Sequence, residues 1–135
     1  MTDNIAKVLV YSDNRLTRKQ VRVTLGKKLA SDLPEIEIHE VATHAALLRA
    51  LDSDTEYSLV VLDGEAQPSG GFGLSFQLKD EYIDCPPVML LIVRSSDTWL
   101  ATWSRADAVT PYPLDPFTMP QQAANLLRSR LGANA

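Results

Sequence analysis

A single cysteine, Cys85, excludes an internal disulfide and a cysteine metal cluster, and it agrees with a reducing compartment. The thiol is read as a small, partly buried side chain. The longest uninterrupted apolar run, Val88 to Val93, is far short of the roughly 20 residues of a membrane helix, so no direct membrane insertion is expected. The opening stretch MTDNIAKVLV lacks the basic region and long apolar core of a secretory signal, so a cytoplasmic chain is expected. The sequence has no Gly-Lys-Ser/Thr, so there is no P-loop, and the glycine-rich Gly70 to Gly73 does not fit the dinucleotide fingerprint. A Gly-x-Ser-x-Gly nucleophile elbow is also missing. The two histidines, His39 and His44, sit five apart across a strand end and a helix start, a poor metal pair.

What is present suits one globular domain. The chain has 135 residues, 45% hydrophobic and 22% charged, too apolar for disorder and large enough to bury a core. The net charge of −4 is unevenly placed. Arg15, Arg18, Lys19, Arg22, Lys27 and Lys28 follow one another with no acid between them, and the other seven basic residues face all seventeen acids. This stripe is either a solvated face or a surface for an acidic protein. With an acidic chain and no interleaved aromatics, nucleic-acid binding is not expected.

Short runs rich in Val, Ile and Leu at 5–10, 36–41, 57–62 and 88–93 read as strands, most of them buried on both faces as in a parallel sheet. A shorter strand is expected near 108–110. Apolar residues at helical spacing predict helices over 15–30, 45–51 and about 73–82. Thr43 is a cap candidate for the second, and Asp97 or Ser96 for a helix through TWLATW. A last helix is predicted after Thr118, with Pro120 in its first turn. Strand and helix alternate, and right-handed crossovers favour a doubly wound, flavodoxin-like α/β sheet of order 2-1-3-4-5. Its ligand crevice would open at the carboxyl ends of the first and third strands.

Ser12 and Asp13 follow the first strand and Asp63 ends the third, so two carboxylates converge at that crevice. Like charges this close call for a cation between them, and Mg²⁺ needs only one or two carboxylates. The alternative is that both aspartates cap helices and finish strands in solvent.

VLVYSDN, LVVLDGEAQPSGG and DPF together resemble a response-regulator receiver domain over essentially the full chain. The resemblance implies that Asp63 is a phosphoacceptor served by a histidine kinase, and that Asp13, Asp63 and the main-chain carbonyl of Glu65 hold Mg²⁺. Three positions depart from the family pattern. Ser12 stands where a second acid is usual, Ile92 (with Val93 next) where a hydroxyl residue is usual, and Tyr112 or Asp115 where a lysine is usual. Each change weakens phosphoryl chemistry, so no cofactor is expected to be required and any Mg²⁺ to be weakly held. Arg94 is a candidate internal cation for Asp63 or Asp13.

The expected function is therefore a stand-alone, degenerate receiver without an output domain, not an enzyme, that binds protein. A phosphorylatable regulator in a phosphorelay is the alternative. YSDN, LDGEA, ATWSRA and YPLDP are further similar to actinobacterial orphan receivers found with respiratory complex I, the proton-pumping NADH dehydrogenase. That similarity implies an accessory subunit on the cytoplasmic arm, membrane-associated only through the complex. Trp99 and Trp103, four apart on one helix face, and Arg15, Arg18 and Arg22 are candidate interaction residues; core packing of at least one tryptophan ring is expected.

Overall fold

The computed structural model describes residues 5–133. Five strands, β1 (Ile5–Tyr11), β2 (Glu35–Val41), β3 (Leu59–Asp63), β4 (Val88–Ile92) and β5 (Ala108–Pro111), form one parallel sheet of order β2-β1-β3-β4-β5. Helices α1 (Arg15–Leu25), α2 (His44–Leu51), α3 (Gly71–Glu81), α4 (Thr98–Trp103) and α5 (Thr118–Ala133) connect and cover it. This is the doubly wound, flavodoxin-like sheet expected from the alternation of strand and helix patterns.

Side-chain alternation divides the core between the two faces of the sheet. Val8, Val10, Leu59, Val61, Met89 and Leu91 pack with Val21 and Leu25 of α1 and with Met119, Ala123 and Leu127 of α5. Leu9, Tyr11, Val60, Leu62, Leu90 and Ile92 pack on the opposite face with Leu47 of α2 and with Leu74 and Leu78 of α3. The central strands β3 and β4 are buried at every position, which explains their continuous apolar runs. β2 lies at the sheet edge and alternates Glu, Ile, Glu, Ile.

Two helix limits differ from the periodicity. α1 stops at Leu25, not near residue 30, because Gly26 takes φ 68° and returns its amide to the Arg22 carbonyl. The next residues bend toward β2, where the Ile36 amide reaches the Lys27 carbonyl at 2.8 Å. α3 begins at Gly71, two residues earlier than predicted. A Cβ on Gly71 would lie 2.7 Å from the Asp63 carbonyl oxygen, so only glycine lets the helix start against the end of β3.

Caps fix the other starts. Thr43 accepts from the Ala46 amide at 3.1 Å, as expected for α2. At α5 the cap is Asp115 and not Thr118, the first helical residue: Asp115 Oδ1 accepts from the Phe117 and Thr118 amides at 2.8 and 2.9 Å. Those amides hold its carboxyl below the usual range. Asp97 occupies the N-cap of α4, but no capping hydrogen bond comes from its side chain.

Leu127 is fully buried and Val23 is 66% exposed. Leu127→Ala is expected to cost about 2 to 5 kcal/mol, and Val23→Ala no more than about 0.5, in urea unfolding. An acid titration tests the Asp32–Arg128 pair, a two-point contact at 2.8 and 2.9 Å. Arg128 lowers the Asp32 carboxyl to about 2. Because that folded value is depressed, the pair's stabilisation is present above the ordinary carboxylate range and is lost as pH falls toward 2. The stability gap between the native chain and Asp32→Asn should therefore close over that interval.

Candidate functional site

β1 and β3 are neighbours, with Tyr11 paired to Leu62, so the residues leaving each strand meet at one end of the sheet. Ser12 continues the row of Val8 and Val10, and Asp63 that of Leu59 and Val61, which places both side chains on the α1 and α5 side. Ser12 is fully buried and Asp63 is 7% exposed. Ser12 Oγ donates to Asp63 Oδ2 at 2.7 Å, and the Glu65 amide donates to Oδ1 at 2.8 Å. Both oxygens of the buried carboxylate thus have a donor from within the chain. A hydrogen bond to a charged group contributes about 1.5 to 3 kcal/mol, and a buried acceptor left without one costs a comparable amount.

The serine is itself held. Its Oγ accepts from the Asn14 amide at 3.0 Å, and Asn14 caps α1 by accepting from the Leu16 amide at 2.9 Å. Arg18 reaches back from α1 to donate to the Ser12 carbonyl at 2.7 Å. Tyr11 secures the other rim by donating to the Ser69 carbonyl at 2.5 Å, tying the 64–70 loop to β1. Burial, with the charges of Asp13 and Asp63, pushes the Tyr11 phenol above its ordinary value, so it stays a donor. Sequence reasoning missed Tyr11 and the inward turn of Arg18. The signal for Tyr11 was a phenol ending an otherwise apolar buried strand, where its hydroxyl needs an acceptor.

A cleft of about 570 Å³ opens above this pair, its walls including Asp13, Asp63, Glu65, Leu91, Val93 and Tyr112. The candidates therefore divide. Asp13, Asp63 and Glu65 come together as expected, with Asp13 and Glu65 exposed at the mouth. Tyr112, not Asp115, lines the cleft, since Asp115 is engaged in capping α5. Ile92 does not face the site. Asp63 is paired in register with Leu91, so alternation sends Ile92 into the opposite core beside Leu62 and Leu90 and leaves Val93 at the cleft.

Arg94 serves neither Asp63 nor Asp13. It contacts Asp97 at 3.2 Å on the following turn and lies 4.0 Å from Glu65. Both tryptophans are exposed, Trp99 at 67% and Trp103 at 48%, which corrects the expectation that one ring is in the core. α4 is six residues long and turns Ala101 inward; Trp103 stacks instead on Phe76 of α3 at 4.6 Å. Of the basic stripe, Arg18 and Arg22 are bound to Glu40, and Arg15 stays exposed at the edge of the cleft.

No family model matches the chain. A response regulatory protein of Mycobacterium tuberculosis, found in two strains, is 48% identical over 123 residues, 91% of this chain and 92% of the relative. The chain belongs to the response-regulator family. Solved structures share the receiver fold at lower identity. The chemotaxis response regulator CheY4 of Vibrio cholerae superposes with a TM-score of 0.73 at 19% identity, covering 90% of this chain and 98% of that one. The signal receiver domain of a histidine kinase from Syntrophus aciditrophicus gives 0.76 at 20%, covering 92% and 91%.

The residues of this receiver fit Mg²⁺ only weakly. The carboxylates of Asp13 and Asp63 at the cleft are the donors in place, and among the described residues no three His, Cys, Asp or Glu side chains gather into a metal cluster. Ser12 contributes a neutral hydroxyl whose proton is already directed at Asp63. If a cation binds, Asp13 and Asp63 hold it and it keeps most of its waters. Ser12→Asp adds one charge at that point and is expected to tighten Mg²⁺ about tenfold or more, read by calorimetric titration against the native receiver.

Proposed function

We propose that this receiver is a regulatory protein-binding module in which phosphoryl transfer to Asp63 has been reduced or lost. The observation that carries the reading is the buried Ser12 to Asp63 hydrogen bond at 2.7 Å. The carboxylate at the phosphoacceptor position is satisfied from inside by a neutral donor, where the family resemblance calls for a second acid and a metal. Two further positions support it. Val93 lines the cleft where a hydroxyl would bond a phosphoryl oxygen, and Tyr112 lines it where a lysine would pair with the charge. Losing such a charged donor removes about 1.5 to 3 kcal/mol of stabilisation from the phosphorylated form.

Signalling then runs through contact with another protein. The cytoplasmic arm of respiratory complex I is the narrower partner reading, and it rests on the similarity of YSDN, LDGEA, ATWSRA and YPLDP to receivers found with that complex. Recovery of complex I subunits with the tagged receiver from its native cell supports this partner, and their absence removes it. The open cleft, with Asp63 at its base and Asp13 at its mouth, favours the phosphorelay reading as the alternative.

Incubation with Mg²⁺ and a small-molecule phosphodonor separates the two. Intact-mass analysis is expected to show at most trace phosphate. Stoichiometric labelling that disappears in Asp63→Asn would establish the phosphorelay reading instead.

A further inference from the structure

α1 packs against α5 on one side; on the other, toward the sheet edge, it and β2 enclose a hollow of about 350 Å³. The hollow is lined by Arg22, Val23, Gly26, Lys27, Ile36 and Ile38. Its floor is apolar because Ile36 and Ile38 face α1, while the intervening Glu37 points to the other face of the sheet and pairs with Lys7 and His39. Val23 (66% exposed) and Leu16 (63% exposed) stand seven residues apart on one face of α1 and extend the apolar strip beyond the hollow.

The rim is positive. Glu40 pairs with both Arg18 and Arg22 and offsets one of their two charges. Arg15, Lys19 and Lys27 form no ion pair among the described residues, and α1 itself contains no acid.

We propose that the α1–β2 groove is a docking surface for an acidic, apolar-anchored segment of a partner protein. The segment sets aliphatic side chains at helical spacing into the Val23–Ile36–Ile38 hollow and over Leu16, and brings carboxylates to Arg15, Lys19 and Lys27. Charge complementarity selects this occupant. A nucleic acid finds no aromatic ring there to stack on and has no aliphatic side chain to fill the hollow. An anionic membrane meets a chain of net charge −4 with two exposed apolar side chains on this helix, too few to anchor it. A second copy in two-fold pairing would set the basic strip against itself.

The inference rests on the protein-binding reading and assigns that reading a surface. The test titrates the isotope-labelled full chain by NMR with four probes. These are an amphipathic peptide with leucines at three- and four-residue spacing and glutamates between, its glutamine counterpart, a short DNA duplex, and vesicles containing anionic lipid. The expected result is salt-sensitive shifts centred on residues 16–27 and 36–38 with the glutamate peptide, and at least tenfold weaker binding of the glutamine peptide. The same tenfold loss is expected in Val23→Ser and in Lys19→Glu/Lys27→Glu, each with an unchanged circular dichroism spectrum. Shifts centred elsewhere, equal binding of the two peptides, undiminished binding by the variants, or tighter binding of DNA or vesicles would overturn the proposal. Phosphate labelling of the same samples reports on the loss of phosphoryl chemistry separately, because it reads Asp63 and not the groove.

Discussion

A carboxylate buried at the end of a central strand must find donors, and in this receiver Asp63 finds them in the Ser12 hydroxyl and the Glu65 amide. Neighbouring features follow from that requirement. The serine has to be held rigidly, so its Oγ accepts from Asn14 and its carbonyl from Arg18, which commits the first turns of α1 to the site. The Glu65 amide has to point inward, which shapes the turn after β3, and Tyr11 fastens the far end of that loop at Ser69. Gly71 then lets α3 start directly against the Asp63 carbonyl. The site is coupled to the strand pairing itself, because Ser12 and Asp63 lie on adjacent strands in fixed register.

The same arrangement separates scaffold from chemistry. A metal or a phosphoryl group stabilises a cluster of like charges by placing opposite charge or strong donors among them. Here one charge is replaced by a hydroxyl, and the walls at Val93 and Tyr112 supply no cation. Arg15 stands exposed at the edge of the cleft, Arg18 is turned to the Ser12 carbonyl and Glu40, and Arg94 is engaged by Asp97 and Glu65. The fold retains its crevice while the groups that would make phosphorylation favourable are reduced. What the surface offers in exchange is exposure: Trp99 and Trp103 on α4, and the apolar strip with a basic rim beside α1.

Much of this was legible in the sequence because burial on both faces writes a strong signal. β3 and β4 are apolar throughout, and the order of the sheet followed from right-handed crossovers. The convergence of Ser12, Asp13 and Asp63 followed from that order. The misreadings share a cause, namely that they depend on direction and not on position along the chain. Ile92 occupies the expected place by count, yet the register of Asp63 with Leu91 turns it into the core and presents Val93. Arg94 and Arg18 are long side chains with more than one acid or carbonyl in reach, and composition does not say which they choose. Gly26 ends α1 through a backbone angle that the apolar spacing ignores, and the tryptophans are exposed because α4 is too short to bury more than a narrow inner face.

The reading proposed here turns on the Ser12 to Asp63 pair, with phosphoryl transfer to Asp63 reduced or lost. Beryllofluoride with Mg²⁺, a mimic of the phosphoryl group, tests this without a kinase or a labile bond. An amide NMR spectrum recorded before and after its addition should show at most small shifts confined to residues near Asp13 and Asp63. A second set of resonances spreading through residues 88–112 at stoichiometric reagent would contradict the account.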